Sequence, residues 1–303
     1  MTEQEAARLA ALLSAHAAEV EASLEAALPS AGNDGEGTLA AAMRHGALNG
    51  GKRLRAFLAI EAARLFKAEP TGALRVAAAV ECLHAYSLIH DDLPCMDDDD
   101  LRRGKPTVHV IWDDAVATLA GDALQTLAFE LVTAPETHAS GEIRANIALA
   151  LARASGVNGM VGGQMIDIHA ETAETPLTLP EIERLQSLKT GALIRFAAEA
   201  GAMLGDAAED DLTRIRAYAR DLGSAYQIRD DILDVEGDAA TTGKAVQKDA
   251  EAGKATFVDL LGLMGAKARA AELANAACAA LEPYGDRADA LCLAARFTVS
   301  RRS

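Results

Sequence analysis

The chain has 303 residues, half of them hydrophobic and 4% aromatic, with 29 Lys+Arg against 45 Asp+Glu and a net charge of −16. That composition excludes a disordered chain, and the acidic balance argues against nucleic acid or an anionic membrane surface as the main partner. Four scattered cysteines with no Cys-x-x-Cys pair point to reduced thiols rather than a disulfide framework or a zinc site.

The N-terminal stretch MTEQEAARLAALLSAH is acidic where a signal peptide would be basic, and no uncharged apolar run approaches a membrane span; both features predict a cytoplasmic protein. Alanine and leucine dominate and no strand-like alternation persists, so the texture is helical throughout. Thr2 and Glu5 have capping-box spacing ahead of Leu9, Leu12, Leu13, Val20 and Leu24, an amphipathic first helix. Pro29 to Gly37 reads as a loop, and a second helix from about Thr38 to Leu48 stops at Gly50-Gly51. Further helices are expected over about 54–68, 71–91, 112–133, 141–169, 180–204, 207–235, 255–281 and 286–299. The helices near 71–91 and 207–235 read as almost apolar until their C-terminal ends, where aspartates appear; such helices belong in the middle of a bundle. The fold class is therefore all-α, with the whole chain, 1–303, as one domain.

The first acid cluster is Asp91, Asp92 and Asp97 to Asp100 in HDDLPCMDDDDLRRGKPT. Pro94 ends the helix, and the bulge from Leu93 to Met96, which carries Cys95, lets Asp97 swing back towards Asp91. The second cluster is Asp230, Asp231 and Asp234 in QIRDDILD, with Asp230 and Asp234 one turn apart on one face. Aspartates at a helix C-terminus oppose the macrodipole, each at about 0.3–1 kcal/mol in surface settings, so two such clusters call for a cation. Carboxylates without His or Cys neighbours are hard oxygen donors that select Mg²⁺ or Ca²⁺, and Mg²⁺ shares its shell with phosphate oxygens. Asp98 to Asp100 alone fit a solvated loop equally well.

Local cations stand out against the net charge. Gly50-Gly51-Lys52-Arg53-Leu54-Arg55 is a Gly-Gly turn opening a helix, where backbone N–H groups and Lys52 and Arg55 favour an anion. Arg102 and Arg103 follow the first acid cluster, Lys189-Thr190-Gly191 interrupts a helical stretch, and Lys244 and Lys254 follow the second cluster in Gly-Lys pairs. Taken singly, each suits a solvated surface charge. His84 lies two turns before Asp91 on about the same face, where a core histidine is the plain alternative, and His90 reads as a hydrogen-bond donor behind the acids.

HAYSLIHDDLPCMDDDDLRRGKPT, GGKRLR, GDALQ, GGQMID, KTGALIR and YQIRDDILD, in this order, resemble the trans-isoprenyl diphosphate synthases, in the pattern of the bacterial farnesyl diphosphate synthases. The resemblance spans about residues 38–282. It implies a helical bundle around a deep central cavity, a homodimer, and the Mg²⁺-assisted condensation of isopentenyl diphosphate with an allylic diphosphate to (2E,6E)-farnesyl diphosphate. It further implies that Asp91, Asp97 and Asp230 ligate three Mg²⁺ ions, with Asp92, Asp231 and Asp234 in support and Gln164 and Asp167 beside them. Arg102, Lys189, Lys244 and Lys254 would hold the allylic diphosphate, and Lys52, Arg55, His84 and Arg103 the isopentenyl diphosphate. Thr190 and Gln227 would point oxygens at the developing carbocation. Tyr86, roughly 7.5 Å deeper than Asp91 at 1.5 Å per residue, would floor the cavity beside small Ser87 and stop elongation at C15.

The sequence departs from that pattern in three places: Ala56 follows GGKRxR where proline is usual, Tyr226 replaces phenylalanine, and the end RFTVSRRS, with Arg301 and Arg302, matches weakly. The alternatives are the same chemistry stopping at C20 or C10, a class I terpene cyclase, and a non-catalytic partner subunit. A cyclase needs no second diphosphate site, which GGKRLR and His84 supply, and a silent subunit would be expected to lose an aspartate motif.

Overall fold

The computed structural model describes residues 1–236 and 256–301. Helix α1, Glu3–Ala27, opens on the expected capping box, in which Thr2 and Glu5 satisfy each other's backbone N–H groups. Helix α2, Gly35–Ala47, starts earlier than about 38 because the Asp34 carboxylate caps the Gly37 N–H. Helices α3, Leu54–Leu65, and α4, Pro70–Asp91, follow; Pro70 begins α4 where its missing N–H costs nothing. A two-stranded antiparallel hairpin, Leu101–Arg102 (β1) with Lys105–Pro106 (β2), comes next. Arg103 and Gly104 both adopt positive φ at its two-residue turn. A short α5, Val108–Ile111, leads into α6, Asp114–Thr133.

The helix expected over 141–169 is two, α7 (Gly141–Ser155) and α8 (Met160–Glu171), parted at Gly156 to Gly159. The one expected over 180–204 breaks at Thr190 into α9 (Leu179–Lys189) and α10 (Gly191–Leu204). Then come α11, Glu209–Glu236, α12, Phe257–Ala280, kinked at Gly262, a 3-10 turn at Glu282–Ala288, and α13, Asp289–Ser300.

Helix α4 is the hub, packing on α1, α2, α3, α6 and α10, while α10 also packs on α3 and α11, and α11 on α12 and α13. Phe57, Leu58 and Leu83 at the α3–α4 contact are fully buried, each contributing about 1.5–3 kcal/mol of apolar burial. A second apolar cluster, Ile182, Ala225, Ile228, Ile232, Phe257 and Ala270, joins α9, α11 and α12. Helix α4 is apolar nearly all round, as its sequence suggests. Helix α11 is not: Arg214 and Arg220 are exposed on one face while Leu212, Ile215, Tyr218 and Leu222 are buried on the other. By length and composition α4 and α6 could each cross a membrane, but 72% of the apolar window of α4 is buried inside the bundle.

Candidate active site

The first acid motif forms where α4 runs out. The bulge returns the chain so that the Asp97 N–H donates to the Asp91 carbonyl at 2.9 Å, as the spacing suggests. Burial pushes the Asp91 carboxyl up to about 6; Lys189 and Arg102 oppose that shift, and the Asp97 and Asp92 carboxylates add to it. Asp92 is buried and turned away from this pair, accepting from Arg102 Nε at 2.7 Å. Burial raises its pKa and Arg102 counters. Arg102 and Asp92 thus lock the hairpin onto the end of α4, so the two act first on each other. His90 Nε2 lies 3.0 Å from the Thr118 carbonyl of α6, so this ring nitrogen is engaged with α6.

The GGKRLR segment is the junction of the site. Gly51 has φ 113°, and a Cβ there would lie 2.6 Å from the Arg103 guanidinium, so only glycine lets that side chain reach the Gly50 carbonyl. Asn49 Nδ2 donates to the Arg102 carbonyl at 3.2 Å, fastening the same loop to the hairpin. Arg53, buried and at positive φ, donates to Glu81 Oε2 at 3.0 Å and to the Ala47 carbonyl at 2.7 Å. Glu81 in turn accepts the Ala56 N–H at 3.2 Å, capping α3 from α4. Ala56 is therefore not the first helical residue but the third, and its N–H is in use; proline there would forfeit that bond.

Four arginines, Arg53, Arg55, Arg102 and Arg103, bear on His84, whose pKa burial, with their help, pushes far below its ordinary value. His84 is therefore a neutral imidazole in a cationic surround. Burial and the neighbouring guanidiniums also lower the pKa of Arg103, against the pull of Glu81. Arg55 Nε is buried without a hydrogen-bond partner, an unsatisfied donor in a pocket of positive charge.

The second acid motif meets the same loop. Partial burial and the Arg301 guanidinium lower the pKa of Lys52, while Asp230 opposes the shift. Arg301, at the end of α13, donates to Asp230 Oδ1 at 2.6 Å and to the Tyr226 carbonyl at 3.1 Å. It also stacks on the Tyr226 ring at 3.9 Å. Its own carbonyl is held by Arg229 at 2.6 and 3.0 Å. The tail that matches weakly by sequence thus reaches the motif, and Tyr226 supplies its platform. Asp231 is buried and spends Oδ2 on the Phe257 N–H, 2.8 Å away, capping α12, with Gln227 Nε2 on Oδ1 at 3.5 Å. Asp234 is half-buried, one turn on from Asp230.

On the opposite wall, Lys189 Nζ donates to Asp167 Oδ2 at 2.6 Å, joining α9 to α8, with Gln164 one turn before Asp167. Gly163 permits that approach, since a Cβ there would lie 2.2 Å from the Lys189 backbone nitrogen. Thr190 sits in the break between α9 and α10. Tyr86 is buried, edge-on to His90 at 5.5 Å, and its hydroxyl bonds Gln125. Ser87 Oγ donates to the His84 carbonyl at 2.9 Å. Lys244, Lys254 and Arg302 lie outside the described residues.

The donor set suits a hard divalent cation: oxygens only, with a carboxyl whose charge its surroundings disfavour until a cation joins it. Among the described residues no three potential ligands already converge on one point. Arg53, Glu81 and Arg301 are functional contacts to which the sequence pattern assigns no role. Glu81 had a signal, a lone acid inside an apolar helix, whereas nothing local points Arg301 at Asp230. A separate cleft of about 590 Å³ among Ile143, Leu149, Phe196 and Arg216 shares no residue with this site, and Glu199 and Glu209 pair its Arg216.

In this helical bundle the GGKRLR loop thus contacts the hairpin that follows the first acid motif and lies near Asp230 of the second. The family model described as polyprenyl synthetase matches residues 36–285. The farnesyl diphosphate synthase of Escherichia coli is 48% identical over 247 residues, 81% of this chain and 82% of its own length. That of Bacillus subtilis is 46% identical over 72% and 73% of the two chains. The solved FPP/GFPP synthase from Zymomonas mobilis superposes with a TM-score of 0.89 at 47% identity, covering 97% of this chain and 99% of that one. The chain belongs to the polyprenyl synthetase family, whose members use divalent metal ions.

Proposed function

We propose that the chain, as one catalytic domain, condenses isopentenyl diphosphate with dimethylallyl or geranyl diphosphate to form (2E,6E)-farnesyl diphosphate. The observation that carries this reading is the GGKRLR loop, which touches the hairpin of the first acid motif through Gly50, with the preceding Asn49 bonded to the same hairpin, and approaches Asp230 of the second through Lys52.

Two anion sites of different chemistry follow. Asp91, Asp97 and Asp230 would hold Mg²⁺, three ions by family likeness, with Asp92, Asp231 and Asp234 behind them; the metal neutralises the departing diphosphate when bound. Arg102 and Lys189, with Lys244 and Lys254, would bind that allylic diphosphate directly. Lys52, Arg55 and Arg103 would take the isopentenyl diphosphate, with neutral His84 donating a hydrogen bond. Its charge and oxygens answer both the surplus of arginine and the unsatisfied Arg55 Nε. As the allylic C–O bond breaks, the oxygens of Thr190 and Gln227 face the carbocation and apolar walls exclude water. The second substrate's double bond attacks it, and the proton then lost goes to pyrophosphate, so no protein base is needed. Tyr86, packed between α4 and α6, would floor the tail pocket. The active form would be a homodimer in the cytoplasm.

The test is incubation of the purified protein with Mg²⁺, labelled isopentenyl diphosphate and either allylic starter, followed by sizing of the products. A C15 diphosphate is expected; products without an added C5 unit would defeat the reading.

A further inference from the structure

Helices α12 and α13 meet at a pair of cysteines that the proposed reaction does not use. The Cys278 thiol donates to the Cys292 carbonyl oxygen at 3.7 Å, which sets the two cysteines side by side across the two helices. Both are partly exposed, and both are free. Arg296, one turn after Cys292 on α13, donates to Glu5 Oε1 of α1 at 2.8 Å and brings its positive charge near Cys278. Asp289, one turn before Cys292, places a carboxylate on the other side of that thiol.

The surroundings split the two sulfurs into unequal partners. The hydrogen bond from Cys292 lowers the Cys278 pKa to about 7; burial opposes this, and Arg296 adds to it. Cys292 is pushed the other way, by its hydrogen bond to Cys278, by burial, and by the negative charges of Cys278 and Asp289, against the pull of Arg296. A cysteine that ionises more readily, next to one held protonated, suits the roles of nucleophilic and resolving cysteine. The other two thiols lack it. Cys82 is fully buried, its thiol raised to about 12 by burial, and Cys95 stands exposed in the bulge.

We infer that Cys278 and Cys292 form a peroxide-oxidisable dithiol that closes reversibly into a disulfide stapling α13 to α12. In the first step the Cys278 thiolate attacks one peroxide oxygen; the S–O bond forms, the O–O bond breaks, and the released hydroxide takes a proton to become water. Cys278 is then a sulfenic acid, oxidised by two electrons. In the second step the Cys292 sulfur attacks the Cys278 sulfur and releases its proton, the S–O bond breaks, and the departing hydroxide leaves with that proton as water. One peroxide is reduced to two waters, and a dithiol reductant reverses the change. The bond closes only a short loop around the 3-10 turn Glu282–Ala288, but it fixes the helix whose last residue delivers Arg301 to Asp230.

The reduced full-length protein is treated with hydrogen peroxide, blocked with iodoacetamide in denaturant, and mapped by peptide mass spectrometry. The expected species is a single chain lighter by two hydrogens, with Cys278 linked to Cys292, Cys82 and Cys95 alkylated, and a Tm higher by a few degrees until dithiothreitol restores it. Cys292→Ser should stop at a sulfenic acid on Cys278 that dimedone traps, whereas Cys278→Ser should give none at position 292. Oxidation confined to Cys95, a bond between two chains, or a disulfide that leaves the Tm unchanged would overturn the inference. The wild-type peptide map decides the matter even if either variant folds poorly.

Discussion

At Arg55 a buried guanidinium nitrogen has no partner among the described residues, which makes it the most direct probe of the proposed isopentenyl diphosphate site. Hydrogen bonds to charged groups contribute about 1.5–3 kcal/mol, so Arg55→Gln should raise KM for isopentenyl diphosphate roughly 10- to 100-fold with little change in Tm. Equal loss for both substrates would move Arg55 out of that site. Tyr86→Ala removes the proposed floor, and its products should run longer than C15; unchanged product length would assign the floor to another residue. Glu81 is different in kind, since it holds both Arg53 and the Ala56 N–H in the interior. Glu81→Gln leaves buried Arg53 with only the more distant Glu21 carboxylate, 3.9 Å away, and should cost up to about 3–5 kcal/mol in a denaturant melt.

Helices in this bundle are joined by polar clamps as well as by apolar faces. His16 on α1 is buried, with Nδ1 3.0 Å from Glu19 Oε2 and Nε2 2.5 Å from Glu61 Oε1 on α3. A carboxylate at each ring nitrogen is satisfied only by the imidazolium. Burial opposes that charge, and Arg64 does so too, but the hydrogen bonds to Glu61 and Glu19 outweigh both and raise the pKa of His16 above its ordinary 6.5. A group whose pKa rises on folding contributes stability that is whole below its unfolded pKa and disappears as pH climbs through the folded one. The Tm should therefore fall as pH rises from 6 through the raised His16 pKa, and His16→Gln should flatten that slope. A slope unaltered by the substitution would place the titration elsewhere. Gly163 shows the apolar counterpart of such a junction: Gly163→Ala must separate α8 from α9, because the added carbon meets backbone rather than a movable side chain. Its activity should fall more than its Tm, since Lys189 loses its register with Asp167.

Across the whole molecule, the last described residue closes onto the second acid motif. Because the Arg301 guanidinium bonds Asp230, a proposed metal ligand, Arg301→Ala should lower the Mg²⁺ concentration needed to raise the Tm of the substrate-free protein. An unchanged Mg²⁺ midpoint would show that the pair does not compete with metal.

Local chemistry dictated much of this protein. Alanine- and leucine-rich periodicity specified the helices, Pro94 and the following bulge brought Asp97 back to Asp91, and Gly50-Gly51 marked the turn ahead of α3, because each depends on neighbours within a few residues. Elsewhere the tertiary contacts decided. The RRGK hairpin is too short for alternation to register. Asp92, Asp231 and Ala56 look like members of linear motifs, yet each takes its partner from another element: Arg102 of the hairpin, the start of α12, and Glu81 of α4. The same holds for Cys278 with Cys292 and for Arg301 with Asp230. Spacing along a chain fixes which face of a helix a residue occupies, but which surface that face meets is set only when the core excludes water and the helices choose their neighbours.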